Sequence, residues 1–293
     1  MLLKGKKVII TGSGRGIGKE VAKACAKEGA NIGLTARTLE ELNKTKEEIE
    51  YLKTGVRISI KTADITKFNE VEEVFNHFKD DLGMIDGVIA NAGASRMGNT
   101  HEFDNDRFAN IINVNILGVF NTFKAAYPFL KKDDKKHKAK FVITGSAAFL
   151  SPMPKFAAYT ASKYAAVGLL KSLAIEYKKE NINFIEILPT MVDTRMLRGR
   201  KAGDGNKPDN VMNPWDLNDY YIFALSDLAN KVNNQLIITS DIQDIIKIIQ
   251  KAPVDKKESW EVFKGYLEEV SPRLSKDVNK LGKLIEYLIS KSN

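Results

Sequence analysis

The sequence predicts an α/β protein with a doubly wound parallel sheet, and three observations carry that prediction. Short apolar runs of strand length alternate with charged segments whose apolar residues recur at helical spacing. A glycine-rich loop, Thr11-Gly-Ser-Gly-Arg-Gly-Ile-Gly18, joins the first apolar run to the first helical pattern. With 293 residues, 43% hydrophobic and 28% charged, the chain can bury a substantial core and is not compositionally disordered.

The elements follow in order. Lys7 to Ile10 is a short apolar strand, and Ile17, Val21 and Cys25 share one face of the helix after it. Asn31 to Thr35 reads as the second strand, and Leu39, Leu42, Ile49 and Leu52 mark one face of a charged helix. A third strand is predicted at Val56 to Ile60, a helix at Phe68 to Phe78, and a buried fourth strand at Ile85 to Ala90. Further strands are predicted at Phe141 to Thr144, Ile182 to Leu188 and Leu236 to Thr239, the last preceded by a helix over Trp215 to Leu228. Helices between successive strands imply right-handed crossovers, which make the sheet parallel and cover both its faces. Beyond the last strand, Ile242, Ile245, Ile246 and Ile249 make one apolar helical face. Tyr266, Leu267 and Val270, then Leu281, Leu284, Ile285 and Leu288, suggest more helices, whose stripes must be buried on the main domain or across a dimer interface.

Composition removes several function classes. No apolar run approaches the roughly 18 residues that span a bilayer, and Gly12 interrupts any secretory signal, so a cytoplasmic protein without a membrane span is expected. The single cysteine, Cys25, cannot form an intrachain disulfide or a Cys-based metal site, and its place on the apolar side of the first helix gives it a packing role. His77, His101 and His137 lack metal-ligand spacing and read as surface residues. The net charge of +8 could attract nucleic acid, anionic lipid or an acidic carrier. Acids are interleaved with bases almost throughout, as in Glu40 to Glu50 and Lys131 to Lys140, so a solvated mixed-charge surface is expected and a nucleic-acid partner is not. Lys131 to Lys140 reads as a loop between helix and strand.

Two motifs carry chemistry. The small residues of the glycine loop let the backbone approach a pyrophosphate, whose charge is favoured by the N–H groups opening the next helix. The second strand ends Leu34-Thr35-Ala36-Arg37-Thr38, without the acid that binds a ribose 2′-hydroxyl. Arg37, with Arg15 from the loop, suits a 2′-phosphate and points to NADP(H). In Tyr159-Thr-Ala-Ser-Lys163 the four-residue spacing sets a phenol beside an ammonium on one helical face, and a nearby positive charge favours the phenolate.

Together these residues resemble the short-chain dehydrogenase/reductase family over about residues 5 to 241. The motifs are the TGxxxGxG loop at Thr11 to Gly18, Asp64 after the third strand, Asn91-Ala92-Gly93 after the fourth, Asn115 in a long helix, Ser146 after the fifth strand, and Tyr159 with Lys163. The resemblance implies a Rossmann-like single catalytic domain over residues 1–243, with a substrate lid at 194–213 and a helical C-terminal extension at 244–293. It implies hydride transfer between NADP(H) and a carbonyl or alcohol, with no metal required. Tyr159 would be general acid in reduction and general base in oxidation, and Lys163 would make the phenol more acidic and bond the nicotinamide ribose. Ser146 would hold the substrate oxygen and Asn115 a water of the proton relay.

The implied cofactor contacts are Gly12, Ser13, Gly14, Arg15, Gly16, Ile17 and Gly18 around the phosphates, Arg37 at the 2′-phosphate, and Asp64 and Ile65 at the adenine. Asn91, Ala92 and Gly93 would lie beside the central sheet, and Pro189 and Thr194 would join Tyr159 and Lys163 at the nicotinamide end. Where the family has Pro-Gly, this chain has Pro189-Thr190, which departs at the glycine position. Ala94 to Gly98, Phe149 to Phe156 and Arg195 to Met212 would border the substrate, and the cations of the last segment are either an anion site or solvated. Met153, Phe149 and Phe156 are either pocket wall or core. A small-molecule substrate is implied, with a 3-oxoacyl thioester, free or carrier-bound, another β-keto compound, a sugar and a hydrophobic ketone all open, in a homodimer or homotetramer. The competing reading is a non-catalytic NADP-binding regulator whose extension recruits a partner. Asn115, Ser146, Tyr159 and Lys163 argue against it, because a sensor needs no proton relay.

Overall fold

The computed structural model describes residues 1–130, 137–253, 255 and 260–292. Strands β1 (Lys7–Thr11), β2 (Asn31–Ala36), β3 (Ile58–Thr62), β4 (Gly87–Ala90), β5 (Ala139–Thr144), β6 (Ile182–Leu188) and β7 (Gln235–Ile238) form one parallel sheet. Their order is β3-β2-β1-β4-β5-β6-β7. The chain winds outward from β1 in one direction and then restarts at β4 in the other. In such sheets a crevice opens beyond the carboxyl ends of the two strands at the reversal, and ligands bind there.

Alternation along the strands feeds two cores. Val8 and Ile10 point to the face covered by α1 (Gly16–Lys27), α2 (Leu39–Glu50) and α8 (Asn218–Leu225), while Ile9 points to the other. That other face is covered by α3 (Phe68–Leu82), α5 (Gly118–Ala126) and α6 (Ala157–Glu176). Each helix offers an apolar stripe, such as Val21, Ala22, Cys25 and Ala26 on α1, and each fully buried aliphatic or aromatic side chain contributes about 1.5–3 kcal/mol. Cys25 is a core filler whose thiol is pushed up by burial and, secondarily, by Glu28.

Several predicted boundaries move. The third strand starts at Ile58 rather than Val56, because its pairing with β2 begins at Ile32 opposite Ile58. Ile85 lies outside β4 and makes an isolated bridge to Leu130. Thr239 belongs to a helix rather than to the last strand. The helix predicted over Trp215 to Leu228 is a 3₁₀ turn (Pro214–Leu217), then α8, then a second 3₁₀ turn (Asp227–Ala229), broken where Ser226 is extended and its hydroxyl accepts from Leu228 N. In the stretch read as a loop at Lys131 to Lys140, residues 131–136 lie outside the described residues. Lys140 is not in a loop but fully buried in β5, where its Nζ donates to Asn230 Oδ1 at 2.8 Å.

The extension packs on the main domain. Helices α9 (Thr239–Lys251), α10 (Trp260–Val270) and α11 (Pro272–Ser292) bury Ile242, Ile245, Phe263, Leu267, Leu281, Leu284, Ile285 and Leu288 in the same core as Val21 and Cys25. The Tyr287 ring stacks on Phe223 and its hydroxyl donates to Asp219 Oδ1 at 2.9 Å, while Lys291 reaches Glu28 at 3.7 Å. The expected boundary at 243/244 therefore falls inside a continuous helix, α9. The side chain of Val270 lies outside the described residues.

Candidate active site

The glycine loop lies at the reversal of strand order. Gly12 has φ +65°, and a Cβ there would come within 2.7 Å of Ala92 Cα. A Cβ on Gly18 would overlap Gly12 O and Asn91 Nδ2, so α1 can approach the β4 end only with glycine at this position. Asn91 staples the two strand ends: its Nδ2 donates to Thr11 O (3.0 Å) and Gly12 O (3.2 Å), and its Oδ1 accepts from Thr144 Oγ1 (3.2 Å). Ser13 is fixed from below, its N–H and hydroxyl both donating to Thr35 O. No side chain caps α1 at Arg15, and no acid occupies its first turn. Its first N–H groups thus face the crevice as donors for an anion, which fits a dinucleotide pyrophosphate.

Arg37 follows β2 and is exposed, and its charge acts on Asp64. Burial pushes the Asp64 carboxyl up, but hydrogen bonds from Thr66 N and Oγ1, with Arg37 and Lys67 nearby, hold it below the usual carboxylate range. Ile65 is buried beneath Gly118, and its carbonyl accepts from Asn121. Arg15 pairs at 2.9 Å with Glu41 on α2, which also meets Arg195 at 3.4 Å. Glu41 therefore engages the loop arginine, a contact that sequence reasoning missed.

The residues expected to transfer protons converge at the ends of β4 and β5. Lys163 is 8% exposed on α6, its Nζ donating to Thr144 O at 2.9 Å and lying 5.5 Å from the centre of the Tyr159 ring. Ser146, two residues past Thr144, accepts from Ala148 N at 3.1 Å, and the Ala147 N–H donates to Pro189 O at 2.8 Å, tying the β5 and β6 exits together. Asn115 is buried within a π-helical turn, Asn113–Leu117, between α4 (Asn105–Ile112) and α5, so the predicted long helix carries a local widening at this residue. Its side chain accepts from Ala94 N (2.8 Å) and donates to Ala94 O (2.9 Å) and Ser162 Oγ (2.8 Å), and Ser162 donates to Tyr159 O at 2.6 Å. Gly93 and Ala94 lie against this group, with Met196 Cε 3.5 Å from where a Gly93 Cβ would stand.

A family model described as short chain dehydrogenase matches residues 6–205. The chain belongs to the short-chain dehydrogenase/reductase family. It is similar to a 3alpha-hydroxysteroid dehydrogenase of Mediterraneibacter gnavus, 29% identical over 244 residues, covering 81% of this chain and 96% of the relative. Among solved structures, an alcohol dehydrogenase from the archaeon Thermococcus sibiricus complexed with 5-hydroxy-NADP is 30% identical with a TM-score of 0.71, covering 80% and 95% of the two chains. A 3-ketoacyl-(acyl-carrier-protein) reductase from Brucella melitensis complexed with NADH is 26% identical with a TM-score of 0.73, covering 80% and 97%.

In this short-chain family member Thr190 does not require glycine's freedom, since it lies outside the left-handed region. Thr194 precedes α7 (Arg195–Arg198) without a side-chain cap bond, its hydroxyl donating to Val192 O at 3.4 Å, and it faces Gly16, at 3.3 Å from the position of a Cβ there. The cations of the expected lid segment are not all solvated: Arg198 is 12% exposed and bonds Asp193 (3.1 Å), Asp204 (2.9 Å) and Asn206 O (3.1 Å). It braces the segment after α7 instead of offering itself to an anion. Phe149 packs edge-on against Tyr164, Phe156 lies beside Tyr159, and Met153 is exposed, so none of the three is core. Among the described residues no group of three or more His, Cys, Asp or Glu could hold a metal ion, and no helix is long and apolar enough to cross a membrane.

Proposed function

We propose that this oxidoreductase is an NADP(H)-dependent carbonyl reductase or alcohol dehydrogenase with Tyr159 as its acid and base. The observation that carries the reading is the placement of Lys163 Nζ on Thr144 O and 5.5 Å from the Tyr159 ring, two residues from Ser146 along β5 and its exit. A nicotinamide dinucleotide supplies or accepts the hydride. Gly12 to Gly18 and the N-terminus of α1 hold its phosphates, Arg37 its 2′-phosphate, Asp64 and Ile65 its adenine, and Asn91 to Gly93, Pro189 and Thr194 the remainder. Ser146 donates to the substrate oxygen, and Tyr159 gives that oxygen its proton in reduction or takes it in oxidation. Lys163 stabilises the phenolate and bonds the ribose, while Asn115 links the Ala94 backbone to Ser162 and so keeps Tyr159 in register.

The rim of the site supports a bulky apolar carbonyl compound with an anionic end, such as a 3-oxoacyl thioester. Met97, Leu150, Met153, Met196 and Leu197 are all more than 40% exposed on the three bordering segments, the last two on α7. Arg96, Lys155, Arg200 and Lys201 are exposed among them. Exposed apolar side chains clustered around a mouth mark a binding surface. The regulator reading is weaker, because the apolar face of the extension is spent inside this chain's own core. Exposed Phe120 on α5 and Tyr164 and Ile175 on α6 favour a homodimer, and sedimentation as a monomer at micromolar concentration would refute it.

The test is NADPH oxidation over a panel of 3-oxoacyl thioesters, ketosugars, diketones and hydrophobic ketones, beside Tyr159→Phe. The variant should bind NADPH normally and lose about 10²- to 10⁴-fold in turnover. Near-native turnover would remove Tyr159 from the mechanism.

A further inference from the structure

We propose that Glu186 is a positioning residue for the proton-transfer group, a buried carboxyl that offsets the charge Lys163 presents to Tyr159. It rests on the reading of Tyr159 as acid and base. Glu186 lies in β6 with no exposed surface, and neither carboxyl oxygen has a hydrogen-bond partner among the described residues. A buried carboxyl without partners is costly, and such groups persist where they serve a purpose other than stability.

Its location supplies the purpose. A Cβ on Gly145 would overlap Glu186 Oε1 and Leu188 Cδ2, so the carboxyl lies directly on Gly145. Gly145 separates Thr144, whose carbonyl anchors Lys163 Nζ, from Ser146. The carboxyl and the ammonium thus rest on consecutive residues at the end of β5, and no ion pair joins them directly. Lys163 and Lys171 of α6 are the cations that act on Glu186, and the Tyr221 phenol of α8 feels its charge from the other face. Burial, only partly opposed by Lys163 and then Lys171, pushes the carboxyl up to about 7. The site therefore has two charge states near neutrality. When Glu186 is neutral, the Lys163 charge acts on Tyr159 unopposed; when it is ionised, part of that field is cancelled.

Substituting Glu186→Gln fixes the neutral state. A negative charge disfavours the phenolate, so its removal should let Tyr159 ionise at a pH lower by about half to one unit. The readout needs no substrate: the phenolate absorbance of native protein minus Tyr159→Phe, followed through a pH titration, and the same difference in the Glu186→Gln background. The alkaline limb of reductive kcat/KM should move down by the same amount, and an inflection near 7 in the native profile should vanish. An unchanged Tyr159 titration in a variant with native circular dichroism and Tm overturns the proposal. Glu186→Leu, which matches the apolar surroundings of Leu188, serves if the glutamine variant does not fold, and the same unmoved titration there is equally fatal. A shifted titration in a chain that reduces no carbonyl keeps this proposal and sinks the functional reading; turnover with an unshifted titration does the reverse.

Discussion

Lys140 gives the sharpest test of the electrostatics. It is fully buried in β5, with Asn230 Oδ1 as the acceptor of its Nζ. Burial, reinforced by the repulsion of Lys6 and Lys138 and only partly opposed by Asp227, pulls its ammonium from the ordinary 10.5 down to about 7. At about 1.36 kcal/mol for each factor of ten, that fall corresponds to about 4–5 kcal/mol between the charged and neutral forms. The folded-state value lies below the unfolded one, so between pH 7 and 10.5 the unfolded chain binds one more proton. Stability must then rise with pH across that window, by about 1.4 kcal/mol per pH unit in its middle. Lys140→Met keeps the volume of the stem, removes the charge and loses one hydrogen bond worth about 1 kcal/mol. The variant should be more stable than the native chain at pH 7 by about 2–3 kcal/mol, with the difference vanishing or reversing by pH 10. Urea unfolding at four pH values from 7 to 10 measures this directly. Parallel stability curves for native protein and variant would show that Lys140 keeps its charge in the fold and that the reasoning is wrong.

Three further outcomes test the site. Arg37→Asp should weaken NADPH about 10- to 100-fold relative to NADH, the value of one charge-assisted contact, and an unchanged ratio by fluorescence titration would remove Arg37 from the 2′-phosphate. Glu41→Gln should release Arg15 and Arg195, tightening NADPH about two- to fivefold while leaving NADH alone; equal effects on both cofactors would mean that Glu41 does not compete for the phosphate. Arg198→Met should loosen residues 199–207, raising KM about three- to tenfold with little change in kcat and speeding proteolysis there, whereas a kcat loss at constant KM would place Arg198 in the chemistry.

The sheet and both chemical motifs were legible because their signals are local. Gly12 and Gly18 are required by close backbone approach, and Tyr159 and Lys163 by helical spacing. Strand ends were less legible. Val56 prolongs an apolar run past the residues that pair, and Ile85 bridges Leu130 outside the β4 ladder; hydrophobicity does not mark where a neighbouring strand stops. The widening at Asn113–Leu117 leaves no trace in the period, since its neighbours continue as helix on both sides. Glu41 and Glu186 have roles made by tertiary contact alone: one reads as an ordinary acid on a charged helix, the other as an interruption of an apolar strand. The second carried an unused signal, for a carboxyl inside a run predicted to be wholly buried requires an explanation. Ser162, between Tyr159 and Lys163, could have been found as a polar residue on the buried side of its helix.

The shared core of α1 and the last helices has a practical meaning for anyone who handles the protein. Leu281, Leu284, Ile285 and Leu288 are not an appendage's private interior but belong to the core that backs α8, and α8 in turn packs on α1 behind the glycine loop. Cutting the chain back before α10 would strip that backing and leave Phe223 and the outer side of α8 facing water. The nucleotide end and the C-terminus should therefore melt as one cooperative unit, and ligand occupancy at the glycine loop should protect amides in α11, far along the chain but adjacent in the fold.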